Sequence, residues 1–407
     1  MKIQRTIPPT AAMIGLTDLF HGMAGFLIGE KYLRELKEGL KRYFGVKHVF
    51  LVSSGKAALT IILKALQSLS PEKREVLIPA YTCYSVPAAI VKAGLKVSLC
   101  DMNPATFDFD HALLKEAIND KTLCIVPTHL FGIPADVERV KSMCRHKGIY
   151  VVEDAAQAMG GTSRGRKLGA IGNVGFFSLG RGKNITCGSG GIVVTDDDRI
   201  ADAVMKEYVK LEHPGVWENG KALIQQLVMK IFMHPNLYWL PAGISSLRLG
   251  ETIFYRDFVL SRLSGVKAGV LRTWRVRLMR ANRIRREGGA AYRRELRMAT
   301  GAGEAVPYLR FPVLARDREM RDSIYSRVKK YGVSLLYPAP INEIEEIREQ
   351  FYGDTFPIAK DISERLFLMP THALLTKKDR MAICRAVQNG GIMNVHRHFV
   401  SAGRQEV

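Results

Sequence analysis

From His48 to Thr195 the chain alternates short runs of apolar, often β-branched residues with longer stretches of helical period. Seven runs predict strands: His48–Val52, Glu75–Pro79, Lys96–Cys100, Leu123–Pro127, Tyr150–Glu153, Gly175–Ser178 and Ile192–Thr195. Several are apolar at nearly every position, as strands covered on both faces must be. Between them, stretches such as Ala57–Leu66 and Ala135–His146 carry an apolar stripe at the 3.6-residue period. This alternation predicts a parallel sheet flanked by helices.

Beyond Thr195 the pattern loosens as far as about residue 255. Residues 258–298 then read as one or two long helices, and 305–395 mix short strands with helices. The expected organisation is an N-terminal segment over 1–45, a large α/β domain over 46–255 and a smaller C-terminal α+β domain over 256–407. Ser401–Val407 is expected to fray. The stretch Ala222–Ile244 is long enough to span a bilayer, but Gln225, Gln226, Lys230, His234, Pro235 and Pro241 interrupt it, so no transmembrane helix is expected. Within it Leu223, Ile224, Leu227, Val228, Ile231 and Phe232 share one helical face, followed by Tyr238 and Trp239. The N-terminal stretch Ala11–Gly29 is unusually apolar too.

In an open parallel sheet, ligands bind outside the carboxyl ends of the strands, so the residues just after each strand carry the most information. After the first strand comes Ser53-Ser54-Gly55-Lys56, leading directly into a helix. Such a turn aims free N–H groups and a helix dipole at an anion, naturally a phosphate. It is not a Walker A loop, because Phe50 and Ala57 stand where Gly and Ser or Thr are required. After the fifth strand comes Glu153-Asp154-Ala155-Ala156-Gln157-Ala158, which sets a carboxylate at the base of the crevice. There it either caps the next helix or meets a protonated ligand nitrogen. The sixth strand ends at Ser178, followed by the glycine-rich Gly180-Arg181-Gly182-Lys183-Asn184. The amine of Lys183 can turn back into the same crevice or stay solvated. A phosphate cradle, a buried carboxylate, a strand-end hydroxyl and a lysine on one edge suit pyridoxal phosphate: the carboxylate keeps the pyridine nitrogen protonated and the lysine forms the Schiff base.

The charge balance adds a second constraint. There are 60 Lys and Arg against 39 Asp and Glu, a net +21, which suits an anionic neighbour (nucleic acid, a phosphorylated substrate or an anionic membrane face) or serves solubility alone. Ten arginines lie between Arg272 and Arg297, interleaved with Trp274 and Tyr292. No helix-turn-helix, RNP or zinc signature accompanies them, so specific nucleic-acid recognition is not expected. An apolar helix beside a basic surplus suits peripheral contact with an anionic membrane, while burial in a dimer and a solvated arginine face are the plainer alternatives. Six cysteines without a C-x-x-C pair point to reduced thiols and no metal site. Pro8, Pro9 and Asp18 break up any secretory signal, and a cytoplasmic protein is expected.

These residues resemble the DegT/DnrJ/EryC1/StrS sugar aminotransferases, which are fold-type-I pyridoxal-phosphate enzymes. The likeness runs from about Val46 to Asp196 and resumes more weakly toward the C-terminus. It is carried by Ser53-Ser54-Gly55-Lys56-Ala57-Ala58-Leu59, Ile78-Pro79-Ala80-Tyr81-Thr82, His129-Leu130-Phe131-Gly132-Ile133-Pro134-Ala135-Asp136, Glu153 to Ala158, Phe177-Ser178 to Lys183-Asn184 and Gly188-Ser189-Gly190-Gly191. Phe356-Pro357-Ile358-Ala359 and Leu368-Met369-Pro370-Thr371-His372 resemble the closing motif.

The resemblance implies a mostly parallel seven-stranded sheet and Lys183 as Schiff-base lysine. Asp154 partners the pyridine nitrogen, Gln157 lies beside the ring, and Ser54, Gly55, Lys56 and Ser178 surround the phosphate. It also implies a homodimer, L-glutamate as amino donor and a keto-sugar nucleotide as acceptor. The chain departs from the family at Cys83, where an aromatic residue is usual and Tyr81 or Tyr84 is expected to replace it, at Met159, Lys56 and Ser189, at Asp257-Phe258-Val259, and throughout 210–255. Other readings are amination of a cyclitol or lipid-linked ketone, and a non-catalytic protein using its basic face on membrane or nucleic acid.

Overall fold

The computed structural model describes residues 4–247, 249–298 and 306–390; the expected tail Ser401–Val407 lies outside them. All seven expected strands form: β1 (His48–Val52), β2 (Glu75–Pro79), β3 (Lys96–Cys100), β4 (Thr122–Ile125), β5 (Tyr150–Asp154), β6 (Val174–Ser178) and β7 (Gly191–Thr195). They make one sheet in the order β1-β7-β6-β5-β4-β2-β3. Five strands, β6-β5-β4-β2-β3, run parallel, and β7 is antiparallel to both β6 and β1. The strand around Cys124 sits slightly earlier than expected. Pro127 has no N–H to continue the ladder, so regular pairing stops at Ile125.

The helices that cover the sheet follow from their apolar stripes. They are α1 (Leu16–Phe44), α2 (Gly55–Leu69), α3 (Ser85–Lys92), α4 (His111–Ala117), α5 (Val137–Cys144) and α6 (Asp198–Tyr208). Helix α2 is apolar almost all round and buries Ala57 to Leu63 between the sheet and its helical neighbours. Of the one or two long helices expected over 258–298, one forms, α9 (Trp274–Glu295), preceded by the six-residue α8 (Gly265–Val270) and a short turn. Beyond them, β8 (Arg310–Leu314) and β9 (Leu366–Pro370) form an antiparallel pair covered by α10 (Arg318–Val328), α11 (Pro357–Arg365) and α12 (Lys377–Asn389). Their shared core contains Phe311, Val313, Ile324, Phe367 and Ile383.

Helices α1 and α8 cross at glycines. A Cβ on Gly25 would stand 2.5 Å from the Gly265 carbonyl oxygen, and one on Gly29 would stand 2.7 Å from Gly265 Cα. Only hydrogen fits there, as in close crossings of small residues generally.

The apolar segment within 210–255 forms α7 (Val216–Phe232), but the helix is mounted in the opposite sense to an ordinary surface helix. Gln226 is buried and donates from Nε2 to the Cys187 carbonyl at 2.5 Å, and Lys230 Nζ donates to the Ile14 carbonyl at 3.3 Å. Ile224 (63% exposed), Leu227, Val228 and Ile231 face outward. The glutamine and lysine that interrupt the apolar run are thus the residues that anchor it, because they find carbonyl partners that an aliphatic side chain would leave unsatisfied. Beside it, the first half of α1 also exposes Leu16, Phe20, Met23 and Leu27. No helix among the described residues is long and apolar enough to cross a membrane.

Candidate active site

The parallel strands deliver their C-terminal ends to one edge. Phe176 of β6 pairs with Asp154 of β5, so Ser178 follows two residues beyond the carboxylate on the same edge. The cradle on the other side is built by Ser54, whose side chain accepts the Ala57 N–H at 3.0 Å and caps α2. The first N–H groups of α2, at Gly55 and Lys56, have no partner within the helix and point at the edge. A Cβ on Gly55 would meet Ser178 Cβ at 3.0 Å, so glycine lets the helix start approach the serine. Ser178 Oγ accepts the Gly180 N–H at 3.3 Å.

Adjacent carboxylates meet opposite fates because successive strand residues face opposite ways. Glu153 accepts hydrogen bonds from Gly169 N (2.5 Å), Ile171 N (2.7 Å), Gly172 N (2.9 Å) and His129 Nε2 (2.7 Å). His129 Nδ1 accepts the Ala135 N–H, so the ring proton sits on Nε2 and points at Glu153. Burial pushes the Glu153 carboxyl up, but these donors prevail and hold it below its usual value. Among the described residues Asp154 accepts only the Ala156 N–H, at 2.9 Å on Oδ1. Burial raises its pKa against the pull of that N–H, of Lys183 and of His129. A carboxylate so placed is stabilised by a cationic N–H arriving in the crevice.

Lys183 lies in the β6–β7 loop, its own N–H donating to the Gly180 carbonyl at 3.2 Å. Burial lowers its amine pKa; Cys83 and Asp154 act to raise it and Arg310 to lower it further. Lys56 is half-buried, with Nζ 4.4 Å from the Phe258 ring centroid and 5.9 Å from that of Tyr255, and burial lowers its pKa as well. Gln157 is held at both ends: Oε1 accepts the Phe131 N–H at 3.2 Å and Nε2 donates to the Tyr337 hydroxyl at 3.0 Å. Tyr81 is fully buried, its hydroxyl donating to the Leu336 carbonyl at 2.5 Å and its ring centroid 5.4 Å from that of Tyr337. Tyr84 likewise donates to the Ala339 carbonyl. Both tyrosine hydroxyls are therefore spent on the 336–339 backbone, and Cys83 is the group of that turn that acts on Lys183, Lys56 and Arg310.

Ser54, Gly55, Ser178, Asp154 and Lys183 thus share one edge, with Lys56 and Gln157 at its sides and Tyr81 behind. Sequence reasoning missed Arg310, Tyr337, Tyr238 and Arg285. The only local signal was an arginine inside an apolar strand, Leu309-Arg310-Phe311. Arg285, expected as part of a basic face, is 1% exposed; its Nη1 donates to the Asn184 carbonyl at 3.0 Å and Nη2 to those of Lys183 (3.3 Å) and Ala11 (3.5 Å). Arg277 is half-buried and donates to the carbonyls of Val270 (2.8 Å) and Thr186 (2.9 Å). These two arginines hold the lysine loop and its surroundings rather than a solvated surface.

A mostly parallel seven-stranded sheet flanked by helices is the fold of pyridoxal-phosphate-dependent sugar aminotransferases. The sequence profile of the DegT/DnrJ/EryC1/StrS aminotransferase family matches residues 22–388, and the chain belongs to that family, whose members use pyridoxal phosphate. Among solved structures, the sugar aminotransferase CalS13 from Micromonospora echinospora matches 94% of this chain and 100% of its own, with TM-score 0.75 and 23% identity. The putative sugar aminotransferase Spr1654 from Streptococcus pneumoniae, in its PLP form, matches 95% of this chain and 98% of its own, with TM-score 0.73 and 18% identity. The GDP-perosamine synthase of Caulobacter vibrioides is 34% identical over 171 residues, 42% of this chain and 46% of that protein. The L-glutamine:scyllo-inosose aminotransferase of Streptomyces griseus is 33% identical over 172 residues, 42% of this chain and 40% of its own. The chain spans about half the length of the curated relatives it matches.

The residues present fit this cofactor. Asp154 Oδ2 makes no hydrogen bond among the described residues, which suits a ring N–H. The start of α2 with Ser178 suits a phosphate, and the Lys183 amine lies in the field of Asp154.

Proposed function

We propose that the protein is an aminotransferase that moves an amino group from L-glutamate to a keto-sugar, nucleotide-linked or lipid-linked, in polysaccharide or secondary-metabolite biosynthesis. The observation that carries this reading is the buried Asp154 facing Lys183 across the carboxyl edge, opposite the α2 N-terminus. When bound, pyridoxal phosphate supplies an electron sink and an aldehyde that exchanges amines. Asp154 holds the ring N–H, while Ser54, Gly55, Lys56 and Ser178 hold the phosphate. Gln157, fixed by Phe131 and Tyr337, supports the ring, and Tyr81 backs the turn that carries Cys83. Lys183 Nζ would take the proton from the donor's α-carbon, and its burial favours the neutral form that accepts a proton. A keto-cyclitol acceptor is the second reading, favoured by the similarity to the scyllo-inosose aminotransferase.

The test is the visible absorption of the purified protein supplied with pyridoxal phosphate, before and after L-glutamate. The wild type is expected to show the cofactor band and to bleach it on glutamate addition, and Lys183→Ala to lose that response. A protein that takes up no cofactor overturns the reading.

We further propose a cytoplasmic homodimer in peripheral contact with an anionic membrane. Support for the contact comes from the outward aliphatic side chains of α1 and α7 and the net +21 charge. Flotation with vesicles containing anionic lipid is expected to carry the protein upward. Retention in the soluble fraction, with the apolar face buried between two subunits, rejects the membrane contact.

A further inference from the structure

A cavity of about 370 Å³ lies among the N-terminal segment, α7, α9 and the residues that follow Lys183. Its apolar walls include Ile14, Ile185, Ala281 and Ile284, while Lys230, Arg277, Arg280 and Arg285 bring four cationic side chains against one acid, Asp18. None of Ser54, Gly55, Lys56, Asp154, Gln157 or Ser178 lines it, so it is distinct from the crevice at the carboxyl edge. The volume falls within the range of about 300–1,000 Å³ typical of small-molecule sites.

Asp18 is outnumbered and already engaged: it accepts the Gly15 N–H at 2.7 Å and the Thr273 hydroxyl at 2.5 Å, and stands 3.5 Å from Arg277 Nη1. The terminal nitrogens of Arg277 and Arg285 donate to neutral carbonyls, and Lys230 donates to that of Ile14. Among the described residues Arg280, exposed at the rim, makes no hydrogen bond or ion pair. The Nε atoms of Arg277 and Arg285 and Oδ1 of the buried Asn184, which also lines the cavity, are buried without a partner. Unmade donors and uncompensated cations are unfavourable unless an anion arrives. A phosphate monoester supplies what is missing: anionic oxygens for the guanidinium groups and, when singly protonated, a hydroxyl for Asn184 Oδ1. The apolar walls call for hydrocarbon on the same molecule. The cavity also meets the exposed aliphatic faces, since Met13 of its lining is 55% exposed next to Leu16 and Phe20, and Lys230 adjoins Ile231.

We propose that this cavity binds a phosphate monoester carrying a hydrocarbon chain, its head against Arg277, Arg280 and Lys230 and its chain along Ile14, Ile185, Ala281 and Ile284. Binding there does not depend on the aminotransferase chemistry. A free alkyl phosphate and a membrane lipid with a phosphomonoester head present the same groups.

The experiment titrates octyl phosphate, below its micelle concentration, into the full-length protein supplied with pyridoxal phosphate, and reads binding by calorimetry. Shortening the chain is expected to weaken binding roughly tenfold for every two methylenes removed. Inorganic phosphate and the uncharged octyl glucoside are each expected to bind at least about 100-fold more weakly. Ala281→Phe, which fills the cavity, is expected to abolish binding, and Arg280→Glu to weaken it roughly tenfold. Arg283→Glu, on the same helix but outside the lining, is expected to leave it unchanged. Should Ala281→Phe fail to fold, the comparison of Arg280→Glu with Arg283→Glu, both at exposed positions, still decides. Vesicles of phosphatidylcholine containing phosphatidic acid separate the two sources. Flotation that Arg280→Glu abolishes and Arg283→Glu keeps assigns a membrane lipid, whereas octyl phosphate binding with flotation alike in both variants assigns a free amphiphile. No binding of octyl phosphate, equal binding of octyl glucoside, or binding undiminished in both Arg280→Glu and Ala281→Phe overturns the site. A protein that takes up no cofactor yet binds octyl phosphate in this pattern refutes the aminotransferase reading and keeps the cavity.

Discussion

Arg285 is fully buried and Arg310 half-buried, and the fold treats their guanidinium groups in opposite ways. The terminal nitrogens of Arg285 donate to the carbonyls of Ala11, Lys183 and Asn184 and lie within 3.4 Å of Asn282 Oδ1, tying helix α9 and the N-terminal segment to the lysine loop. Burial lowers its pKa to about 10, which still leaves it charged at neutral pH. Arg310 has none of these partners. A charge whose terminal nitrogens are satisfied holds structure, while an unpartnered one contributes only its field. Two arginines that look alike in sequence thus separate by the census of their hydrogen bonds.

The largest effect is expected at Arg285. Replacing it with Met leaves three buried carbonyls without donors, and urea denaturation is expected to show a loss of about 4 kcal/mol. A loss below about 1 kcal/mol would mean that these contacts add nothing beyond burial.

Both arginines push on the imidazole of His372. Its Nε2 donates to the Pro8 carbonyl at 2.8 Å, and burial, then Arg285 and Arg310, hold its pKa down to about 4 against that bond. The folded state therefore favours the neutral ring, whereas the unfolded chain protonates near pH 6.5. Stability from this group is complete above about pH 6.5 and falls as the pH drops toward 4, by about 3 kcal/mol in total. His372→Gln is expected to flatten that part of a stability profile measured between pH 7 and 4.

Arg310→Met carries the opposite sign to Arg285→Met. Removing a half-buried charge whose Nε has no partner is expected to leave stability unchanged or raise it by about 1 kcal/mol. Equal destabilisation of both variants by denaturation would erase the distinction. Smallest of all is Arg283→Gln on the same arginine-rich helix: its side chain is 71% exposed, and a change within about 0.5 kcal/mol is expected in the same assay.

Much of the site was legible in the chain. Glycine and serine at a strand–helix turn, an acid ending an apolar strand and a lysine in a glycine-rich loop are local signals, and the sheet topology gathers them because parallel strands end on one edge. The outward mounting of α7 was not legible. Periodicity identifies which residues share a helical face, but the direction of that face depends on carbonyl groups such as that of Cys187, which only the folded chain presents to Gln226. The same limit hid Tyr337, held in a left-handed backbone conformation (φ 48°) and meeting Gln157 across 180 positions of sequence.

The sequence by itself determined the strands, the strand-end chemistry and the family, because apolar period and turn residues act through neighbours along the chain. Only the tertiary structure decided which of the many arginines are struts and which stands without such partners. A hydrogen bond depends on distance in space, and the partners of Arg285 and the surroundings of Arg310 come from segments far apart in sequence.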